Sequence, residues 1–201
     1  MTSPSRNEPR IPRLSLDDAA RAAEAAGLPP IFAPLNVFRV LLHHPKLAKA
    51  VVNLLTTLLF EAKLDARLRE LVILRIGWKT GSVYEWTQHW RIARAVPMSH
   101  EDCLAVRDWR SYPGYSAADR AVLAATDETL EDGAISPSTF AECSRELGST
   151  EATLELVVAI GNWRLFSSML RSLEIPLEDD LNPWPPDGVA PQAVAGSPTE
   201  M

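Results

Sequence analysis

Asp65-Ala66-Arg67-Leu68-Arg69-Glu70-Leu71-Val72-Ile73-Leu74-Arg75-Ile76-Gly77-Trp78-Lys79-Thr80-Gly81 runs directly into Ser82-Val83-Tyr84-Glu85-Trp86-Thr87-Gln88-His89, and this stretch decides the fold class. Asp65 reads as an N-cap, because its carboxylate can accept the amide N–H groups that a first helical turn leaves unpaired. Leu68, Leu71, Val72, Leu74 and Arg75 follow at helical spacing and predict one apolar stripe. Gly81 supplies the left-handed residue on which helices end. A second helix is expected from Ser82 to about Ala95, stopped before Pro97.

That second helix carries candidate chemistry. Glu85 and His89 stand at i and i+4, and Ser82 three residues before Glu85, so hydroxyl, carboxylate and imidazole project from one face. A histidine titrating near neutrality beside a carboxylate can pass a proton either way, and burial among Tyr84, Trp86 and Trp90 would push that carboxylate upward. The same spacing also occurs on solvated helix faces, where such a pair contributes little.

Outward from this hairpin, helical start and stop signals recur. Ser15 opens a helix that reaches Ala26 before Gly27 and Pro29-Pro30. Pro34 can open a short helix through His43, and Pro45 the next one, to about Phe60. Ser99 with Asp102 and Ser116 with Asp119 fit the capping-box pattern, and Ser136-Pro137 and Ser149 start the last two helices. No period-2 run competes with these readings. The expected fold class is all-α, with about nine helices between Leu14 and Leu181, while residues 1–13 and the Pro-rich tail 182–201 are too poor in apolar residues to fold and are expected to be disordered.

Composition excludes several functions. The chain has 201 residues with 20 Lys plus Arg against 26 Asp plus Glu, a net charge of −6 without a basic cluster, which argues against a nucleic-acid partner. The longest apolar run, Ala50 to Phe60, carries Asn53, Thr56 and Thr57 and is too short to span a bilayer, so no membrane partner is expected. Cys103 and Cys143 form no CxxC pair and indicate neither a disulfide framework nor a thiolate metal cage. The start of the chain lacks the apolar segment of a secretory signal, which makes the cytoplasm the expected compartment. His43-His44 diverge on a helix and are expected to pack at its end, and no metal is expected there.

Glu70-Leu71-Val72 followed by Trp78 is echoed by Glu155-Leu156-Val157 followed by Trp163. The echo is read as a duplicated helical unit. Two amphipathic core helices drawing on a small residue alphabet would also produce it.

Leu68-Arg69-Glu70-Leu71-Val72-Ile73-Leu74-Arg75, a short turn, and then Tyr84-Glu85-Trp86 with His89 resemble the signature of the carboxymuconolactone decarboxylase family, whose superfamily includes alkylhydroperoxidase D. Asn36-Val37-Phe38-Arg39 with His44-Pro45 is similar to the family's opening segment, and Ser116 through Trp163 to its second half. The resemblance implies an alkylhydroperoxidase D-like helical bundle. In the alkylhydroperoxidase branch a CxxC pair performs redox chemistry, served by a Glu on the preceding helix and a His four residues beyond the second Cys. The resemblance places Ser82 and Glu85 at the thiol positions and Glu70 and His89 at the relay positions, a non-thiol site at which thiol peroxidase chemistry is excluded.

What the resemblance implies is a cofactor-free lyase or proton-transfer enzyme acting on a small carboxylated lactone or related intermediate of aromatic catabolism. Glu70, Glu85 and His89 would be catalytic, with His89 the favoured acid. Ser82 could donate a hydrogen bond, Tyr84 and Trp86 could wall a pocket, and Arg39, Arg75 and Arg91 are the cationic candidates for a substrate carboxylate. No metal or cofactor is expected, and a homo-oligomer, a trimer or a multiple of it, is. A hydrolase or isomerase using the same relay and a non-catalytic oligomeric binding protein are the alternatives.

Overall fold

The structure is a computed structural model that describes residues 8–192, and among these it is all-α. Nine α-helices are described: α1 Leu16–Ala26, α2 Asn36–Leu41, α3 Pro45–Thr56, α4 Ala66–Thr80, α5 Val83–Ala93, α6 His100–Ala105, α7 Ala117–Glu131, α8 Pro137–Leu147 and α9 Thr150–Ser172. The expected caps are in place. Ser15 and Asp65 accept amide N–H groups of α1 and α4, Ser99 and Ser116 form full capping boxes with Asp102 and Asp119, and Gly27, Gly81 and Gly148 end their helices in the left-handed region. The helix expected to reach Phe60 instead ends at Thr56 and continues as a π-helical turn, Thr57–Glu61.

The chain divides into two compact units. The first comprises the residues up to Ala62 with Met169–Leu181, and the second Lys63–Ser168 with the residues from Asn182 onward. In the first, Phe32 packs edge-on against Phe38, and Asn36 donates from its amide to the Pro176 and Leu177 carbonyls. Both histidines of the His43-His44 pair have local partners there: His44 Nδ1 caps α3 through the Leu47 N–H, and His43 Nε2 lies 2.8 Å from the Pro12 carbonyl.

The expectation of disorder over 1–13 and 182–201 meets described residues only at 8–13 and 182–192, and there the chain is ordered by specific contacts. Arg10 bonds the Leu173 and Ser172 carbonyls with its amide and guanidinium, and pairs with Glu174. The remainder of both segments lies outside the described residues.

The second unit is built around α4. Every residue from Leu68 to Gly77 is buried, so the single stripe expected from the sequence is in fact a helix covered on all sides. The reason is that α5, α7 and the 3-10 turn Val106–Asp108 all pack on it. Such a helix can carry charge only where the charge is paired. Arg75 meets that condition: its guanidinium holds Asp127 through two bonds of 2.7 and 2.9 Å and also donates to the Val106 and Arg107 carbonyls. Asp127 additionally accepts from Trp109 Nε1 and Arg110.

Both echo segments fall on long helices, α4 and α9. Glu155 accepts the Lys63 and Leu64 amide N–H groups, tying the segment before α4 to α9.

Removing one side of the Arg75–Asp127 pair strands a buried charge. Asp127→Ala is expected to cost about 3–5 kcal/mol in chemical denaturation. Lys79→Ala, at the outlying Lys79–Glu131 pair, is expected to cost under about 1 kcal/mol.

Candidate functional site

The α4–α5 hairpin builds the site. Glu70 and Gly77 are two turns apart on one stripe of α4, and this stripe faces α5. At Gly77 the helices come so close that a Cβ would lie 3.0 Å from the Trp86 amide nitrogen and 3.3 Å from its Cα. Only glycine allows that approach without moving backbone. Gly81, at φ 68°, turns the chain back so that α5 runs antiparallel, and Glu70 then reaches His89 one helix length from the turn.

The bond between them is 2.7 Å, from His89 Nδ1 to Glu70 Oε2. Glu70 Oε1 receives Arg69 Nε at 3.2 Å. On the other side of the ring, Glu85 Oε2 stands 3.6 Å from His89 Nε2, and the Trp163 indole Nε1–H donates to that same nitrogen at 3.3 Å. Glu70 is completely buried, and Glu85 and His89 nearly so. The pair of α5 residues is therefore not a solvated face.

Burial governs the electrostatics. Desolvation pushes the Glu85 carboxyl up to about 7, with His89 pulling it back and Glu70 adding to the rise. For His89 burial is the largest single influence and works against the charged ring. Glu70, by charge and hydrogen bond, and Glu85 outweigh it and raise the affinity of the ring for a proton above that of a free histidine. Arg69 opposes them more weakly. Each group thus holds a proton more tightly than its free side chain does.

The other candidates divide. Ser82 is buried just before α5, does not cap the helix, and its hydroxyl has no hydrogen-bond partner among the described residues. Tyr84 is buried. Trp86 is wholly buried within an aromatic cluster with Trp78, Trp90 and Trp184, and its indole N–H donates to the Pro185 carbonyl at 2.8 Å. Its contacts make it a packing residue of that cluster. Arg75 is also not a substrate anchor, because Asp127 and two carbonyls take its donors. Arg39, in the first unit, is bonded to the Leu14 carbonyl and Asn36. Arg91 is exposed.

Two contributors were not singled out in the sequence. Arg69 lay inside the quoted signature, and its neighbour Glu70 was the available signal. Trp163 stands in the second echo segment, and its match to Trp78 there was the available signal. The tail also contributes: Trp184 packs on Trp78 and Trp86, its amide donates to Thr87 Oγ1, and Asp187 takes a forked pair of bonds from Arg107, which itself lies over the Trp78 and Trp86 rings. Neither thiol is hydrogen-bonded to the relay, although the Glu70 charge adds to the upward push on Cys103. Cys103 and Cys143 are buried and free, with burial pushing each up to about 11.

Comparison with known proteins agrees with this architecture. Residues 45–128 match the model of the carboxymuconolactone decarboxylase family. No curated protein matches the chain. Among solved structures, an alkylhydroperoxidase D-core, peroxidase-related protein from Ralstonia eutropha is 19% identical, with TM-score 0.68, over 86% of this chain and 93% of that one. An Agrobacterium tumefaciens protein of unknown function, described as an AhpD of antioxidant defence, is 25% identical, with TM-score 0.60, over 68% of this chain and 94% of that one. The debrominase Bmp8 in complex with 2,3,4-tribromopyrrole is 18% identical, with TM-score 0.66, over 84% and 91%.

The raised Glu85 value has a stability consequence. The folded chain keeps this proton to about pH 7, whereas the unfolded chain releases it near the ordinary value of 4.5. The stability that comes from holding Glu85 neutral is therefore complete at acid pH and is lost as pH rises through about 7. Glu85→Gln removes the loss. In thermal denaturation its Tm is expected to match the parent near pH 4 and to exceed it by roughly 2–8 °C at pH 8; a pH-independent difference would contradict the assignment.

Proposed function

We propose that the protein, whose residues 45–128 match the model of the carboxymuconolactone decarboxylase family, is a cofactor-free lyase or related proton-transfer enzyme acting on a small carboxylated lactone or similar organic acid. The observation that carries this reading is the buried Glu70–His89–Glu85 relay, in which Glu85 and His89 both hold a proton more tightly than the free side chains do. A site that stores a proton out of contact with water suits a reaction whose difficult step is delivering one.

For a carboxylated lactone the step balances without a cofactor. The bond from carbon to carboxylate breaks, carbon dioxide leaves, and the electron pair runs through the conjugated system onto the lactone carbonyl oxygen. The resulting enolate takes one proton from the Glu85/His89 pair, which solvent later replaces. Arg69 offsets the Glu70 charge, Glu70 orients the ring through Nδ1, and the unpartnered Ser82 hydroxyl is the candidate donor to the developing oxyanion. Arg39, Arg75 and Arg91 are the cationic candidates that the sequence offers for a substrate carboxylate. The commitment of Arg75 to Asp127 and of Arg39 to Leu14 and Asn36 leaves Arg91 as the remaining member of that set. Thiol peroxidase chemistry is not part of the proposal, because Cys103 and Cys143 are buried and held in the thiol form.

The proposal extends to a homo-oligomer, a trimer or a multiple of it. Of the stripe Val51, Leu54, Leu55 and Leu58, only Leu54 is exposed, so that segment mainly serves its own unit. A better supported apolar face is on α9, where Leu154, Val157, Val158 and Leu165 are exposed, beside Phe140 of α8. Light scattering is expected to give three times 22.2 kDa or a multiple of that mass; a monomer at micromolar concentration would overturn this part.

The relay itself is tested by a double-mutant cycle on turnover of a panel of carboxylated lactones. His89→Ala is expected to lower the rate about 10²- to 10⁴-fold, and Glu85→Gln added to it to cost little more, because the two act as a unit. Independent, multiplicative losses would overturn the relay. Ligand binding without turnover in the parent would instead favour a binding protein.

A further inference from the structure

Trp163 is the group around His89 that the relay chemistry leaves without a task. An indole N–H can only donate, so in its 3.3 Å contact His89 Nε2 must accept. The other ring nitrogen, Nδ1, then carries the hydrogen and gives it to Glu70 at 2.7 Å. The two ring planes are near perpendicular, with centroids 5.9 Å apart and an interplanar angle of 87°. Trp163 is only 1% exposed, so water cannot compete for its N–H. If Nε2 took up a proton, that bond would be lost, the indole N–H would be stranded in the interior, and the new N–H would face Glu85 Oε2, 3.6 Å away.

Among the described residues, few charged, titrating or hydrogen-bonding groups bear on the ring. Glu70 and Arg69 come from α4, Glu85 from the same helix as His89, and Trp163 from α9. Glu70 and Glu85 favour protonation of the ring, whereas Arg69 and the Trp163 donor oppose it. The Glu85/His89 pair therefore has two places for one shared proton, the Glu85 carboxyl or His89 Nε2, and the Trp163 bond exists only in the first.

We propose that Trp163 is a positioning residue that selects where the relay keeps its proton, holding His89 Nε2 as an acceptor and leaving the transferable proton on the Glu85 carboxyl. This rests on the reading of the site as a proton relay and changes the assignment within it: Glu85 is the acid that meets the substrate, and His89 the base beside it, oriented by Glu70. In the transfer, the Glu85 O–H bond breaks as the substrate C–H bond forms, and Glu85 is left as a carboxylate that solvent reprotonates.

The test uses the substrate-free protein. With ring-labelled histidine, the ¹⁵N spectrum of the parent is expected to give His89 as the neutral Nδ1–H tautomer above its titration midpoint. Trp163→Phe keeps an aromatic ring and removes the donor, and the His89 midpoint is expected to rise by about half to one pH unit. A purely packing role for Trp163 would leave midpoint and tautomer unchanged, and that result overturns the proposal. Where Trp163→Phe fails to fold, the indole N–H resonance of Trp163 in the parent provides the reading: it is expected to shift as His89 titrates, and a resonance indifferent to that titration overturns the proposal equally. Neither measurement needs a substrate. An unmoved midpoint in an enzyme that turns over lactones refutes the role of Trp163 alone, whereas a moved midpoint in a protein that turns over nothing leaves that role standing and refutes the lyase reading.

Discussion

The hydrogen bond between Glu70 and His89 is the constraint from which the second unit is arranged. It joins a fully buried carboxylate to a buried ring, so both helices that carry them must lie inside the unit and within touching distance. Gly77 makes this possible because a Cβ there would press on the Trp86 backbone and push α4 and α5 apart near their turn. The same stripe of α4 thus supplies the close approach at one end and the acid at the other.

A helix buried on every side could not bear Arg69, Glu70 and Arg75 unless each charge were answered nearby. Arg69 sits on Glu70, and Arg75 on Asp127, which also gathers Trp109 and Arg110. The two clusters do different work. Asp127 takes two Arg75 N–H donors and the Val106 and Arg107 carbonyls two more, so this cluster fixes α4 against α7. The Glu70 cluster holds more carboxylate and imidazole capacity than Arg69 can neutralise, and the surplus resides in Glu85 and His89 as retained protons. Chemistry is expected where the pairing is incomplete, since titration near neutral pH needs a group that burial disfavours and no fixed partner fully compensates.

The tail from Asn182 shows how composition can mislead. Pro183, Trp184, Pro185 and Pro186 form no helix and bury little among themselves, which reads as disorder. Their order comes from partners supplied elsewhere in the unit: the Trp86 N–H, Thr87, Arg107 and the rings of Trp78 and Trp86. An arginine over two indole rings, bonded in a fork to Asp187, can hold such a segment without any local propensity.

Helix limits were legible in the sequence because they depend on neighbours in the chain: Asp65, Ser99 and Ser116 cap through residues two or three positions away, and Gly27, Gly81 and Gly148 end helices through their own backbone freedom. The shared face of Ser82, Glu85 and His89 follows from the same local periodicity. Whether that face was wet or buried did not, nor did the stripe that became a helix covered on all sides, because both depend on which helices return to cover α4 and α5. Arg75 had one fate as a substrate anchor and another as the partner of Asp127, 52 residues away, and Trp163 acquired its bond to His89 across 74. Such pairings rest on distances that only folding sets, so sequence fixes the alphabet of the relay and tertiary structure decides which letters touch.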